Sequence, residues 1–313
     1  MWIVDSLDQV KAPTFVALGN FDGIHRGHRQ VIQPILGTTY ATVVTFHPHP
    51  QEFFTGQRRD LLTPIAEKSR HLAELGVQQL VLLPFNRELA DLTPEAFVAE
   101  ILVQQLQAQQ ISVGQDFCFG RQRSGTTADL QSIAATHGIP VQIAPLHTCQ
   151  GERISSSAIR HALSEGNLER ANQLLGRPYS LIGQVIQGQQ LGRTIGFPTA
   201  NLQLPPEKFL PRQGVYSVWV YRLDSAQRPL PGVMNLGNRP TVDGAKLSVE
   251  VHLLDWSENL YGETLMVNLE GFLRAEQKFA SLDDLKAQIQ RDCDVARSRL
   301  TVTPLSTNGR SIL

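Results

Sequence analysis

The feature that most constrains this chain is a change of hydrophobic period near residue 178. Before it, Phe15 to Leu18, Ala41 to Phe46, Leu80 to Leu83 and Val141 to Ile143 are short, nearly continuous apolar runs, the pattern of strands covered on both faces. Helical patterns lie between them, over Pro64 to Leu75 and Pro94 to Leu106, the second with Thr93 as cap and Pro94 in the first turn. Strand and helix in alternation predict a parallel sheet with right-handed crossovers. Two more helices are expected, one opening at Ser155 or Ser156 and ending near Gly166, the other running from Asn167 to Leu175 with Gly176 as its stop.

After Pro178 the apolar residues alternate, over Tyr179 to Ile186, Val215 to Tyr221, Leu247 to Leu253 and Leu265 to Leu269. Alternation broken by Gly and Pro turns predicts antiparallel strands, most simply a small closed barrel, and one helix follows from Leu282 to Leu300. The expected division is into residues 1–177 and 178–313. A length of 313 residues suits two domains, and 42% hydrophobic against 18% charged residues supplies a core for each. The polar end from Pro304 is expected to fray.

Charge narrows the class of partner. Lys and Arg total 28 against 29 Asp and Glu, a net charge of -1, so nothing pulls the chain as a whole toward nucleic acid or an anionic membrane. Any phosphate must be bound locally. Cys118, Cys149 and Cys293 are far apart and form no CxxC pair, which indicates neither a disulfide framework nor a thiolate zinc site. MWIVDSLDQV has no basic segment ahead of an apolar run, and no apolar stretch approaches the ~20 residues that span a bilayer. The expectation is a cytoplasmic protein, a monomer or weak homo-oligomer, with small-molecule ligands and neither nucleic acid nor membrane as partner.

The first local anion site is GNFDGIHRGHR, Gly19 to Arg29, directly after the first strand. In an open parallel sheet ligands bind beyond the carboxyl ends of strands. Gly23 and Gly27 let backbone approach a bulky anion, a helix from near His28 would aim N–H groups at it, and His25 and His28 can converge on one phosphate. The bland alternative is a glycine-rich turn with two exposed histidines. A second alternative adds His47 and His49 of FHPHP to make a four-imidazole zinc cluster; the HRGH spacing, unlike i, i+4, does not favour it.

GNFDGIHRGH resembles the HxGH signature of the nucleotidylyltransferase superfamily and, more narrowly, the bacterial bifunctional riboflavin kinases and FAD synthetases. Further similarities follow in order: FHPHP from Phe46, VGQDFCFG from Val113, RISSSAIR from Arg153, LLGRPY from Leu174, GRTIGFPTANL from Gly192, VEVHLLD from Val249, LYGE from Leu260 and RAEQKF from Arg274. The resemblance implies an α/β Rossmann-like nucleotidylyltransferase domain, then an antiparallel flavokinase β-barrel with a terminal helix. The implied chemistry is phosphorylation of riboflavin to FMN in the barrel and adenylylation of FMN to FAD, with release of pyrophosphate, in the first domain, each with ATP and Mg2+.

For the adenylyltransferase, the resemblance implies that His25 and His28 contact phosphate, that Gly19, Asn20, Phe21, Asp22, Gly23 and His47 bind nucleotide or flavin, and that Asp116 lines their cleft. RISSSAIR would be a second phosphate loop, with Ser155, Ser156 and Ser157 as hydroxyls beside Arg153 and Arg160; alone it also reads as a serine-capped helix. Ser157 stands where the family usually has Thr, and Arg26 where it usually has an apolar residue. For the kinase, the resemblance implies that Thr199 and Asn201 of GFPTAN hold magnesium and phosphate, a sensible oxygen donor set, although the motif alone also reads as a β-turn. Gly188, Gly192, Arg193 and Gly196 would close a loop over the nucleotide. Glu250 is the candidate general base, its side chain opposite in direction to Val249 and Val251; as a bare strand residue it reads as solvated, and the family match moves it inside. Arg274 reads either as a phosphate or nucleotide-loop contact or as a surface residue. The rivals are a monofunctional adenylyltransferase whose barrel only binds flavin, and a flavin sensor without turnover.

Overall fold

The computed structural model describes residues 1–301 except 189–190, 224, 226–227 and 242–243; the polar end from Pro304 lies outside them. The chain divides into two compact units, residues 1–156 and 157–313.

The first unit runs β1 (Trp2–Val4), β2 (Thr14–Leu18), α1 (Arg26–Ile32), β3 (Ala41–His47), α2 (Pro50–Thr55), α3 (Ile65–Glu74), β4 (Gln79–Pro84), α4 (Arg87–Asp91), α5 (Pro94–Ala96), β5 (Ala108–Gly114), α6 (Thr127–Thr136), β6 (Val141–Ala144), and a hairpin of β7 (Thr148–Cys149) with β8 (Glu152–Arg153). After α5 a wider helix covers Phe97–Gln105. Six strands pair in parallel in the order β1-β4-β3-β2-β5-β6. The continuous apolar runs are explained by cover on both faces. Val16, Leu18, Val44 and Val81 pack with Phe97, Leu102 and Leu130, while Ala17, Val43, Leu80 and Leu82 pack with Phe21, Ile24, Val31 and Leu72. Chain order reverses between β3-β2 and β5-β6, which makes the carboxyl ends of β2 and β5 the topological switch point.

In the second unit, α7 (Ser156–Ser164) and α8 (Leu168–Leu175) lead into β9 (Tyr179–Ile186), followed by α9 (Leu191–Thr194), β10 (Ala200–Gln203), β11 (Gly214–Arg222), β12 (Leu230–Thr241), β13 (Gly244–Leu253), β14 (Thr264–Arg274) and α10 (Leu282–Arg299). The six strands close as β10-β13-β12-β11-β14-β9, every pair antiparallel. Alternation marks two environments: Val218, Val220, Met234, Val249, Val251, Leu265 and Val267 are buried on one face, while Val215, Trp219 and Val233 pack on the other with Cys293, Ala296 and Leu300 of and beyond α10. Gly176, at φ 71°, ends α8 as its sequence predicts. α7 and α8 group with the barrel, whereas the sequence division at 177/178 leaves them with the first half.

Candidate functional site

The loop after β2 holds an unusual backbone. Phe21 (φ 47°), Gly23 (φ 87°) and Ile24 (φ 42°) all lie in the left-handed region, which for a bulky or β-branched residue costs roughly 1–3 kcal/mol and persists only where the surroundings over-determine it. They do so here. Phe21 and Ile24 are buried in the sheet's second apolar cluster. Thr63 N–H donates to Asp22 Oδ1 (3.1 Å) and Gly23 N–H to Thr63 Oγ1 (2.8 Å). Asn20 O accepts from Thr45 Oγ1 (3.0 Å) and Lys68 Nζ (2.7 Å), and Asp22 O accepts from Ser156 Oγ (2.8 Å).

α1 begins at Arg26 rather than near His28, because His25 is its cap: His25 Nδ1 accepts from His28 N–H at 3.2 Å. That bond leaves the proton of neutral His25 on Nε2, the form able to donate to a phosphate oxygen. The two rings stack with centroids 3.6 Å apart. Burial, with the charges of His25 and Lys68 second and third, holds the His28 pKa well below the usual imidazole value, so His28 is neutral at pH 7. Burial, then Arg59, lowers His49 to about 4. His49 Nδ1 caps α2 by accepting from Gln51 N–H, and Glu52 returns a bond to His49 N–H. His47 is exposed. Two imidazoles of the zinc alternative, His25 and His49, act as helix caps, and among the described residues no group of three or more His, Cys, Asp or Glu is placed to hold a metal ion.

At the switch point a cavity of about 590 Å³ opens between Gly19 and Asn20 after β2 and Asp116 to Gly120 after β5. Phe46, Phe54, Phe85, Phe97, Phe117 and Phe119 line it, with Phe117 and Phe119 stacked at 5.8 Å. Aromatic walls with polar groups at one end suit a flat ring system carrying a polar tail. Asp116 lines the cavity and is ion-paired to Arg153 from β8. Of the two FHPHP histidines, His49 lines it and His47 does not, because the backbone turns after β3 and carries only the second to the wall. The sequence reading also missed Phe54, 70% exposed at the cavity, and the anchors Thr45, Thr63 and Lys68. An adjacent aromatic pair, Phe53-Phe54, directly after FHPHP was the available signal for the first.

RISSSAIR falls partly in each unit. In the first, Ser155 is half-buried and Ser156 binds the Asp22 carbonyl as above. In the second, Ser157 is exposed in the first turn of α7 and Arg160 sits with its guanidinium 5.8 Å from the Phe209 ring.

The barrel carries its motif residues on the outer surface. Glu250 pairs in register with Asn201 on β10 and Asn235 on β12, and Asn235 with Val215 on β11. Paired residues share a face, so Glu250, Asn201 and Asn235 lie on the face that packs against α10. Glu250 is half-buried there. The expectation that it turns inside the barrel is corrected: the interior is filled by Val249 and Val251. GFPTAN is more than a turn, since Ala200 starts β10. The segment is docked by Phe197, edge-on to the His252 ring at 5.6 Å, and by Pro198 O, 2.8 Å from His252 Nδ1.

Gly188 and Gly192 are required by close approach. A Cβ on Gly188 would stand 2.3 Å from Asn201 Nδ2, and one on Gly192 would stand 2.3 Å from Phe197 O and 3.4 Å from Thr199 Oγ1. The side chains of Thr199 and Asn201 thus border bare backbone, an oxygen-bearing cradle that side chains would fill. Gly196 takes φ 90°; the Arg193 side chain lies outside what is described. Arg274 is corrected from phosphate contact to clamp: its guanidinium holds the Asp292 carboxylate of α10 through Nε (3.0 Å) and Nη2 (2.8 Å).

Known proteins match this arrangement. A family model described as FAD synthetase matches residues 7–158 and one described as riboflavin kinase matches residues 175–300. A protein of Escherichia coli (strain K12) named bifunctional riboflavin kinase/FMN adenylyltransferase is 43% identical over 294 residues, covering 92% of this chain and 93% of its own. A Bacillus subtilis protein of the same name is 35% identical, covering 91% and 92%. A crystal structure from Streptococcus pneumoniae, described as a macrolide-efflux protein, superposes with a TM-score of 0.83 at 32% identity, covering 94% of this chain and 98% of its own. No helix among the described residues is long and apolar enough to cross a membrane.

Proposed function

This chain belongs to the family of bifunctional riboflavin kinase/FMN adenylyltransferases, and we propose from that premise how its two units divide the work. It phosphorylates riboflavin to FMN and adenylylates FMN to FAD. An efflux role is not adopted, because both sets of motifs fall on sites of the kind these two reactions need. The functional division we propose stays at 177/178, with the adenylyltransferase in residues 1–177 and the kinase in 178–313.

In the first unit the aromatic cavity holds the flavin ring and the strained loop receives phosphate. An FMN phosphate oxygen attacks the α-phosphorus of ATP, and the bond to pyrophosphate breaks. No covalent enzyme intermediate is needed, so the protein contributes position and donors. His25 Nε2–H and neutral His28 hydrogen-bond phosphate oxygens as charge moves onto the leaving group. Gly19, Asn20, Phe21, Asp22 and Gly23 shape that cradle, with Ser155 and Ser156 as its second wall. Asp116 holds Arg153 at the rim until a phosphate competes for it.

In the barrel, Glu250 accepts the proton of the ribityl 5′-hydroxyl as that oxygen attacks the γ-phosphorus of a second ATP and the bond to ADP breaks. Thr199 and Asn201 fit Mg2+, a hard cation that keeps several waters and binds substrate phosphates with few protein oxygens; when bound it would neutralise charge on the β- and γ-phosphates. Gly188, Gly192, Arg193 and Gly196 form the nucleotide loop. We place the enzyme in the cytoplasm, where its substrates are made and used.

The observation that carries this reading is that GNFDGIHRGH and VGQDFCFG border one aromatic cavity at the switch point of the sheet, while GFPTAN and Glu250 lie on neighbouring strands of the barrel. The test is chromatography of products after incubating the full chain with riboflavin and Mg-ATP. FMN together with FAD is expected. FMN alone would confine turnover to the barrel, and absence of both would leave a flavin receptor.

A further inference from the structure

Lys68 is a buried cation for which the reaction above has no use. It stands on α3, 6% exposed, and its Nζ donates to Asn20 O at 2.7 Å and to Thr45 Oγ1 at 3.4 Å. Asn20 is the second residue after β2, Thr45 belongs to β3, and the left-handed run of Phe21, Gly23 and Ile24 begins one residue later. A single ammonium therefore ties the carboxyl ends of the two central strands at the point where the phosphate loop leaves the sheet. An apolar side chain would leave the Asn20 carbonyl with the Thr45 hydroxyl, and a neutral amine would offer it only a weaker, uncharged donor.

We propose that Lys68, as the ammonium ion, is a positioning residue for FMN adenylylation: it fixes the Asn20 carbonyl and so the conformation in which the loop presents His25 and His28 to phosphate. This rests on the adenylyltransferase reading of that loop. Lys68 touches no reacting atom in it.

The charged groups around it set the pH at which the tie is made. Asp22 faces it from the loop, His28 from α1 with His25 stacked on it, and His49 from the start of α2; Glu67 and His71 neighbour it on α3 and are themselves buried. Burial lowers the Lys68 pKa to about 8, against the pull of Asp22 in the other direction. Below that pH the loop is tied by a charge-assisted hydrogen bond; above it the neutral amine offers a weaker one. Fold stability moves the other way. Between pH 8 and the ordinary lysine value the unfolded chain binds more protons than the folded one, so through this group stability rises with pH. Loop function and fold stability thus separate on the alkaline side, which a purely structural lysine would not allow.

The experiment measures kcat/KM for FAD formation from supplied FMN and Mg-ATP between pH 6.5 and 10, on the full chain, for wild type, Lys68→Arg and Lys68→Met, with riboflavin phosphorylation followed in the same samples. Wild type should lose activity on a limb near pH 8. Lys68→Arg, whose cation does not titrate in this range, should keep measurable activity through that limb. Lys68→Met should lose about 10²-fold at pH 7, the order expected from misplacing reacting groups by about 1 Å, mostly in kcat and with riboflavin phosphorylation retained. A limb unchanged in Lys68→Arg, or Lys68→Met within threefold of wild type, overturns the proposal. Should Lys68→Met fail to fold, the Lys68→Arg profile still decides. His28→Ala, expected to cost about 10² to 10³ in FAD formation, separates the two failures: if it is fully active the site reading falls, and if it is inactive while Lys68→Met is active only the role of Lys68 falls.

Discussion

The two loops we assign to phosphate are built in opposite ways. The loop after β2 is held rigid: Asp22, His25 and Lys68 are buried, three of its residues are left-handed, and five hydrogen bonds with Thr45, Thr63, Lys68 and Ser156 fix the Asn20 and Asp22 carbonyls, the Gly23 amide and the Asp22 carboxylate. The GFPTAN loop lies on the outside of a barrel and docks on one half-buried histidine, His252, through a hydrogen bond and an edge-on ring, with Phe197 N–H donating to Gly192 O at 2.8 Å. The first is formed before any ligand arrives; the second is a short cradle of oxygens whose remaining contacts come with the nucleotide. Adenylyl transfer, which uses no proton acceptor in our scheme, depends on placement and on hydrogen-bond donors held in position. Phosphorylation in our scheme also uses a base, which must itself be held within hydrogen-bond reach of the proton it takes.

The strongest test of that comparison removes one region entirely. A fragment of residues 157–313 should make FMN at close to the rate of the full chain and no FAD at all. The cut at 157 matters. α8 buries Leu168, Leu174 and Leu175, worth ~1.5–3 kcal/mol each, and Asn172 bonds Leu269 O and Tyr179 N–H across to β14 and β9. A fragment starting at Gly176 should therefore make FMN with the same KM but unfold at lower denaturant. If the 157–313 fragment is folded and makes no FMN, the kinase is not in the barrel.

Glu250→Gln sharpens the comparison from the other side. The substitution keeps volume and hydrogen bonding but removes proton acceptance, and general-base contributions are about 10² to 10⁴. FMN formation should drop by that order while riboflavin binding, followed by fluorescence quenching, and FAD formation from supplied FMN persist. Near wild-type phosphorylation would return Glu250 to the half-buried strand residue its register makes it. Loss of riboflavin binding would make it a group that positions substrate.

How much of this the sequence carried depends on whether a residue's role is local or tertiary. The apolar runs of β2, β3, β4 and β6 are visible because both faces are covered, and alternation reveals β9, β11, β13 and β14. β5 escaped because Gln109 and Gln110 interrupt its apolar run, and β12 because Pro231, Gly232, Gly237 and Pro240 read as turns although their neighbours pair along the whole strand. His25 and His28 were legible as a motif. Lys68 was not, since a lysine on an amphipathic helix reads as solvated and only the packing of α3 under the loop buries it. Glu250 shows the limit in the other direction: alternation told that it opposes Val249 and Val251, yet not which face looks inward, and only closure of the barrel decides that.

The smallest expected effect separates the units by acid. In the first unit the folded-state pKa values of His28 and His49 lie below the ordinary imidazole value of 6.5, His49 at about 4. Between pH 6.5 and about 4 the unfolded chain therefore binds more protons than the folded one, and stability falls as pH falls. In the barrel unit, burial raises the pKa of Glu270 above 4.5. There the folded state keeps its proton to higher pH, so acidification through that range adds stability relative to neutral pH. Calorimetry of the full chain should show one transition moving down on acidification from pH 7 to 5, by about 2–4 °C for each kcal/mol lost, while the other, identified by the 157–313 fragment, holds or falls less. His49 is half-buried and solvent screens part of its contribution, so most of the displacement should vanish in His28→Gln, which keeps a polar ring-sized group that does not titrate. Equal displacement of both transitions, or a barrel that melts first in acid, would mean that buried imidazoles do not set the acid sensitivity of the first unit.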